Sequence, residues 1–440
     1  MKKKLLSVLL ATAMVSSLVA CGVSAGDESA SAGGDASAST ATTETAASGD
    51  AIVLLNGKPE INEQLQALAA AYTAESGQAV EIQTVGGSNS ATASDTLKKD
   101  YQAGTMPDIF VAEANQFANW EGMLADMSDQ EWTKNTELEY VNGDGTVGFP
   151  YMVEAWGIAY NADVLDAAGV DPSTLTSPAG YKAAFETLEA KKDELGLTAV
   201  VSYGANAAEL GWSTGTHMFG QYLDAGLAAG ADSKWFDLLQ DGGKIDADRM
   251  TQFAEFIDLL QQHSNQTIAT TGNYDQEVAL FAQGKAAFIT QGSWFGANLT
   301  SSADYSGFKC GIAPFAFADG IDTICGGATS YWAVYSDGNV DAAKAFLQWC
   351  SEETAQKSFV NDCGFVSPFN TVSDVPSDPF AAAVNTYKAN GKLSPMHTFE
   401  KKDGLQNDTS VVFEDFANGK LDVAGFVETI SKVCEAYYAQ

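Results

Sequence analysis

The order of the apolar runs between residues 51 and 112 constrains this chain more than any other feature. Ala51 to Leu55 is a short apolar run, and Val80-Glu81-Ile82-Gln83-Thr84-Val85 alternates with the period of two that a half-buried strand requires. Between them Ile61, Leu65, Leu68 and Tyr72 recur at helical spacing, with Pro59 in the first turn and Gly77 as the stop. A polar helix over 91–103 precedes Met106-Pro107, and Asp108 to Ala112 forms a third strand. Strands alternating with helices predict a parallel or mixed sheet covered on both faces. In such a sheet the ligand crevice lies outside the carboxyl ends of the strands. Those ends carry Asn56, Lys58, Glu60, Ser88, Asn89, Glu113 and Asn115.

A second informative stretch runs over 148–161. Asn142-Gly143-Asp144-Gly145 marks a plain turn, and an extended segment bounded by Pro150 follows it. Proline cannot donate to a sheet ladder, so this segment is expected at an edge or as a crossing strand. It carries the carboxylate Glu154 and the indole Trp156 into another apolar run. A ribbon of this kind suits a strand passing between two lobes beside a cleft. Further on, amphipathic helices are expected over 181–195 and 247–262, and a helix opens at Leu210-Gly211-Trp212 and holds His217. A strand over 284–289 exits through Gly292-Ser293-Trp294. Gly326-Gly327 permits close backbone approach ahead of Tyr331-Trp332.

The net charge of −34 opposes binding of nucleic acid or of an anionic membrane through the body of the protein. The amino terminus reads as an address rather than fold. Lys2, Lys3 and Lys4 precede an apolar run of 16 residues, Leu5 to Ala20, shorter than the roughly 20 needed to span a bilayer. Leu18-Val19-Ala20-Cys21 resembles a bacterial lipobox, which implies lipidation of Cys21 and removal of what precedes it. Residues 22–50 are almost wholly Ala, Ser, Thr, Gly and acids, the composition of a disordered tether.

Cys310, Cys325, Cys350, Cys363 and Cys434 remain beyond Cys21. Two local disulfides with one odd thiol, or five buried thiols, both satisfy the spacing. There is no CxxC, and His217, His263 and His397 are scattered, which argues against zinc; no cofactor is expected.

Several phrases recur in a familiar order: Asn56-Gly57-Lys58-Pro59-Glu60, Met106-Pro107-Asp108-Ile109-Phe110, and Phe149-Pro150-Tyr151 leading into Gly157-Ile158-Ala159-Tyr160-Asn161-Ala162-Asp163. Phe281-Ala282-Gln283-Gly284-Lys285-Ala286-Ala287-Phe288 then runs to Gly292-Ser293-Trp294, and Val340-Asp341-Ala342-Ala343-Lys344-Ala345-Phe346-Leu347 comes last. Over roughly 51–437 this set resembles the extracellular solute-binding proteins of ABC importers, in the maltose-binding branch. The resemblance implies two α/β lobes, each a mixed sheet flanked by helices, joined by three crossing segments near 149–153, 311–314 and Cys350. Lobe one is then 51–150 plus 314–349, and lobe two 151–313 plus 350–440. It also implies a monomeric, lipid-anchored, extracytoplasmic body that holds a carbohydrate between its lobes and delivers it to the transmembrane permease subunits.

By that resemblance Trp294 matches a stacking tryptophan and Glu154 an acid at the crossing. Trp212 matches an aromatic at a helix start, Lys58 and Glu60 fall in the first strand–helix loop, and Glu113 follows the third strand. Trp156 and Trp332 join them on physical grounds, because indoles cover the apolar face of a sugar while carboxylates, amides and ammonium groups meet its hydroxyls. Asn89 completes the set. Val111 and the stretch His397-Thr398-Phe399 lack indoles that maltodextrin binders carry, which opposes maltodextrin as the ligand. An enzyme acting on glycans, or an adhesin that binds polysaccharide without closing, are the alternatives. With 57 acidic residues some carboxylate pair will face any cleft, but no nucleophile elbow, zinc motif or phosphate loop is present.

Overall fold

Thirteen strands are found among the described residues, which in this computed structural model are 51–86, 91–228, 233–372 and 378–440. Residues 1–50, with the expected leader, Cys21 and tether, lie outside them, as do Ser88 and Asn89. The strands are β1 (Ile52–Asn56), β2 (Val80–Thr84), β3 (Ile109–Glu113), β4 (Tyr140–Asn142), β5 (Gly145–Pro150), β6 (Glu154–Trp156) and β7 (Ile158–Asn161). They continue with β8 (Ala199–Ser202), β9 (Ala286–Ile289), β10 (Cys310–Ala313), β11 (Ile324–Gly327), β12 (Ser330–Val334) and β13 (Leu393–Ser394).

Three sheets result. The first, in the order β2-β1-β3-β12-β5-β4, is mixed: β1 runs parallel to β2 and β3, while β12 is antiparallel to β3 and β5. Its parallel part is the β-α-β-α-β unit expected over 51–112, with helices Asn62–Ser76 and Ala93–Ala103 between the strands. Gly77 ends the first of these helices with a left-handed φ of 76°. The second sheet has the order β10-β7-β9-β8, and the third, β13-β11-β6, is small. The fold is therefore α/β with two lobes, each built on a mixed sheet with helices around it.

The first apolar core gathers Ile52, Leu54, Ile109, Phe149, Trp332 and Phe346, and the second gathers Ala155, Val201, Phe256, Phe288 and Phe315. Tyr151 and Met152 still pack in the first core and Val153 in the second, so the chain passes between them in the link from β5 to β6. The other two passages differ from expectation. Phe315, Ile321 and Ile324 already belong to the second core, so the return occurs at 328–329, between β11 and β12, rather than at 311–314. Ala355, Phe359, Cys363 and Phe369 still pack in the first core; within that stretch Val366 alone reaches the second, and the chain joins that core for good from Phe380, well past Cys350. Helical periodicity shows that these residues are buried but not against which sheet.

Pro150 is the last residue of β5, paired with Tyr331 inside the sheet rather than at an edge, and proline is tolerated there because the ladder stops. Gly157 is required by close approach: a Cβ there would lie 2.2 Å from the Ala313 carbonyl oxygen. The five cysteines beyond residue 50 are free thiols, four of them buried. No helix among the described residues is long and apolar enough to cross a membrane.

One expected site residue belongs to the core instead. Trp332 is wholly buried, stacked on Tyr151 with ring centroids 4.5 Å apart and aligned with Phe149 at 6.1 Å. It lies on a central strand whose two faces are both covered, so its indole fills the first core. Trp332→Ala should cost about 3–5 kcal/mol of stability in urea unfolding, with ligand affinity unchanged in the molecules that remain folded.

Candidate functional site

The site begins at the end of β1. Asn56, fully buried, folds the next residues: its Oδ1 accepts from the Lys58 N–H at 3.0 Å and its Nδ2 donates to the Lys58 carbonyl at 2.7 Å. A short 3₁₀ turn, Pro59–Ile61, follows. The Lys58 ammonium lies 2.7 Å from Glu154 Oε1 and 3.7 Å from Glu60 Oε1. Burial alone would lower the Lys58 pKa, but Glu154 and Glu60 together hold it above the ordinary lysine value. For Glu60 burial wins, and its carboxyl is raised despite Lys58.

Glu154 opens β6 and is almost completely buried. Its second oxygen accepts from Thr329 Oγ1 at 2.7 Å. Both carboxylate oxygens thus have protein partners, so Glu154 joins the first strand–helix loop to two crossing segments. Trp156, two residues along the same strand, shares its face. Trp156 is itself only 1% exposed and packs in the second core, and its indole N–H, like that of Trp332, is buried without a hydrogen-bond partner.

Trp156 is one wall of an aromatic cluster centred on His217. Ring centroids lie 4.4 Å from His217 for Trp294, 5.6 Å for both Trp156 and Trp212, and 5.4 Å for Phe399. Trp294 also meets Trp212 at 6.1 Å and Trp156 at 6.5 Å. Trp212 is the exposed member, 39% accessible, against 8% for Trp294. The turn that carries Trp294 is fastened to β6 by the Ala155 N–H, which donates to Ser293 Oγ at 3.0 Å.

His217 and Trp212 are brought together by an irregular helix. The α-helix Ala207–Trp212 widens into a π-helix over Ser213–Met218, an irregularity often found at functional sites. The His217 Nδ1–H donates to the Trp212 carbonyl at 3.2 Å, which leaves Nε2 as an acceptor. The widened turn is seated against the helix Leu405–Ala417: a Cβ at Gly215 would lie 2.1 Å from the Gln406 carbonyl oxygen. Thr398 Oγ1 donates to the Thr216 carbonyl at 2.6 Å. Lys401 Nζ in turn donates to the Thr398 carbonyl at 2.8 Å, and burial pulls that ammonium down to about 8 against the opposing effect of Glu113 and Asp403.

The remaining expected residues fall as follows. Glu113 ends β3 and caps the next turn reciprocally with Gln116, whose Oε1 accepts the Glu113 N–H at 3.1 Å; burial raises its carboxyl. Trp332 lies in the core and Asn89 outside the described residues. Lys58, Glu60 and Glu154 form one group, and Trp156, Trp212 and Trp294 another, joined through β6. Thr329, His217 and Lys401 complete the site without having been selected from sequence. Thr329, two residues beyond a Gly pair, carried a signal; buried His and Lys on irregular segments carried none. No group of His, Cys, Asp and Glu suited to a metal occurs among the described residues.

Burial pushes the His217 imidazole down to about 4, so it is neutral near pH 7. The unfolded chain takes up this proton near 6.5 and the folded chain only near 4. Acid therefore favours unfolding across that window. The wild type should lose about 3 kcal/mol there through this group, and His217→Phe should lack that part of the loss in urea unfolding at pH 7, 5.5 and 4.

A family model described as bacterial extracellular solute-binding protein matches residues 67–417. No curated protein matches the sequence. Among solved structures, a chitin oligosaccharide binding protein is 20% identical, with 89% of this chain and 100% of that one covered and a TM-score of 0.69. A sugar transporter protein from Bacillus licheniformis in complex with stachyose is 18% identical, with 87% and 98% covered and a TM-score of 0.68. RafE in complex with raffinose is 18% identical, with 89% and 100% covered and a TM-score of 0.67. At these identities the likeness is one of fold.

Proposed function

This chain belongs to the bacterial extracellular solute-binding proteins, and from that premise we propose that it captures a carbohydrate, an oligosaccharide in the first instance, for an ABC importer. The observation that carries the reading is the cluster of Trp156, Trp212, Trp294 and His217 beside Lys58, Glu60 and Glu154, where the chain passes between two cores. Flat apolar rings suit the C–H face of a pyranose, and the His217 Nε2 suits its hydroxyls. The similar structures whose descriptions name stachyose, raffinose and chitin oligosaccharide support this class of ligand.

Lobe one is proposed to comprise the first sheet with residues 340–369, and lobe two the second and third sheets with 380–440. A ligand touching both lobes favours their closed arrangement by its difference in affinity for the two states. Lipid attachment at Cys21, a tether over 22–50 and delivery to permease subunits belong to the same proposal. The family assignment supports an extracytoplasmic location and a binding role rather than a catalytic one.

A thermal-shift and calorimetric screen of raffinose, stachyose and chitin oligosaccharides tests the reading. A ligand at a hundredfold its Kd adds about 2.7 kcal/mol to stability. Trp212→Ala should weaken that ligand about tenfold while moving the unliganded unfolding midpoint little, since this ring is the exposed one. Heat release without product formation is expected; turnover of the sugar would sink the assignment as a binder.

A further inference from the structure

Trp294 is held by a buried relay. Its Nε1–H donates to Gln291 Oε1 at 3.1 Å. The Gln291 amide nitrogen donates to Glu277 Oε2 at 2.9 Å and to Ser213 Oγ at 3.2 Å. Glu277 Oε1 accepts from Thr290 Oγ1 at 3.0 Å, and the Glu277 backbone carbonyl accepts from Ser202 Oγ at 2.8 Å, which ties the relay to β8. Glu277 and Gln291 are both fully buried. A carboxylate here is costly, and core packing alone would be served better by an apolar side chain.

The relay has a direction. A primary amide has a donating end and an accepting end, and turned round Gln291 would set its NH2 against the Trp294 N–H, donor facing donor. An ionised carboxylate only accepts, so it admits one orientation of the amide. We propose that Glu277 is a positioning residue for the ligand wall: by accepting from Gln291 it fixes the amide whose oxygen receives the Trp294 N–H, and so sets the angle of the indole. This rests on the reading of Trp294 as a ligand-stacking side chain.

A protonated Glu277 carries a hydroxyl of its own, which donates to Gln291 and releases the constraint. Burial raises this carboxyl to about 8, while the bonds from Gln291 and Thr290 act in the opposite sense. The titratable neighbours are Tyr203 beyond β8, Tyr274 on the same helix as Glu277, and His217 against the indole. Burial holds both tyrosines above their ordinary range and the histidine at about 4, so none of them changes charge near pH 8. Asp275 is also on that helix, in its first turn. Lys401 changes charge near 8 as well, from behind Thr398.

The test is indole N–H nuclear magnetic resonance on the ¹⁵N-labelled protein between about pH 6 and 9, the Trp294 signal being assigned by its loss in Trp294→Phe. The wild-type signal should move through one transition, and Glu277→Gln, which keeps the shape and removes the charge, should abolish that movement. A signal that does not move in the wild type overturns the proposal. So does a transition that survives in Glu277→Gln, which would then report Lys401. In calorimetry a bound sugar should be held about three- to tenfold more weakly below the transition than above it, with no such step in Glu277→Gln. Equal affinity on both sides, with the signal still moving, overturns the role in binding. Failure of every sugar to bind would count against the proposed function, while the resonance experiment still decides the relay.

Discussion

A buried carboxylate must be met by charge and hydrogen bonds, and the arrangement around Glu154 follows from that requirement. Left alone at 3% exposure it would cost several kcal/mol. Lys58 comes to it from the loop after β1 and Thr329 from the link between β11 and β12. Opposite Glu154 in the third sheet stands Gly327. Three segments distant in sequence are thereby held together where the chain changes core. The alternation of a strand then points Trp156 from the same face, so the polar half of the site and the aromatic half share one short strand.

The aromatic half depends on a departure from regular helix. A π-turn over Ser213–Met218 offsets the register by one residue and sets His217 against Trp212, Trp156, Trp294 and Phe399. Such a turn persists only where its surroundings determine it. Here Gly215 admits the backbone of Gln406, Thr398 donates to the Thr216 carbonyl, and Lys401 in turn holds the carbonyl of Thr398. Burial keeps His217 neutral, so the ring serves as an apolar surface with one acceptor rather than as a cation. On the proposed reading, a neutral, flat and partly polar wall suits an uncharged polyhydroxylated ligand better than an ionic one.

The tryptophans show how far residue type can be read. Trp212, Trp294, Trp156 and Trp332 all occur near turns or strand ends, and each is a plausible platform by chemistry alone. Three converge, while the fourth stacks on Tyr151 inside the first core. Strand periodicity cannot separate them, because a central strand covered on both faces places either of its sides in a core. Glu277 is the converse case. It occupies an amphipathic helix where an acid ordinarily faces water, yet it is buried beneath Gln291 and Thr290.

Local periodicity determined the alternating strands and helices of residues 51–112, the stop at Gly77, and the carboxyl-end placement of Lys58, Glu60 and Glu113. Each of these depends on neighbours a few positions away. The family resemblance extended that to two lobes and to the pairing of Trp294 with Glu154 in one region. Tertiary packing alone decided which core receives the helices after Cys350, which indole packs in the first core away from the cluster around His217, and which buried acid stands behind the stacking ring. Those outcomes turn on contacts between segments a hundred or more residues apart, or on the side of a helix that a distant sheet covers, and no local pattern carries that information.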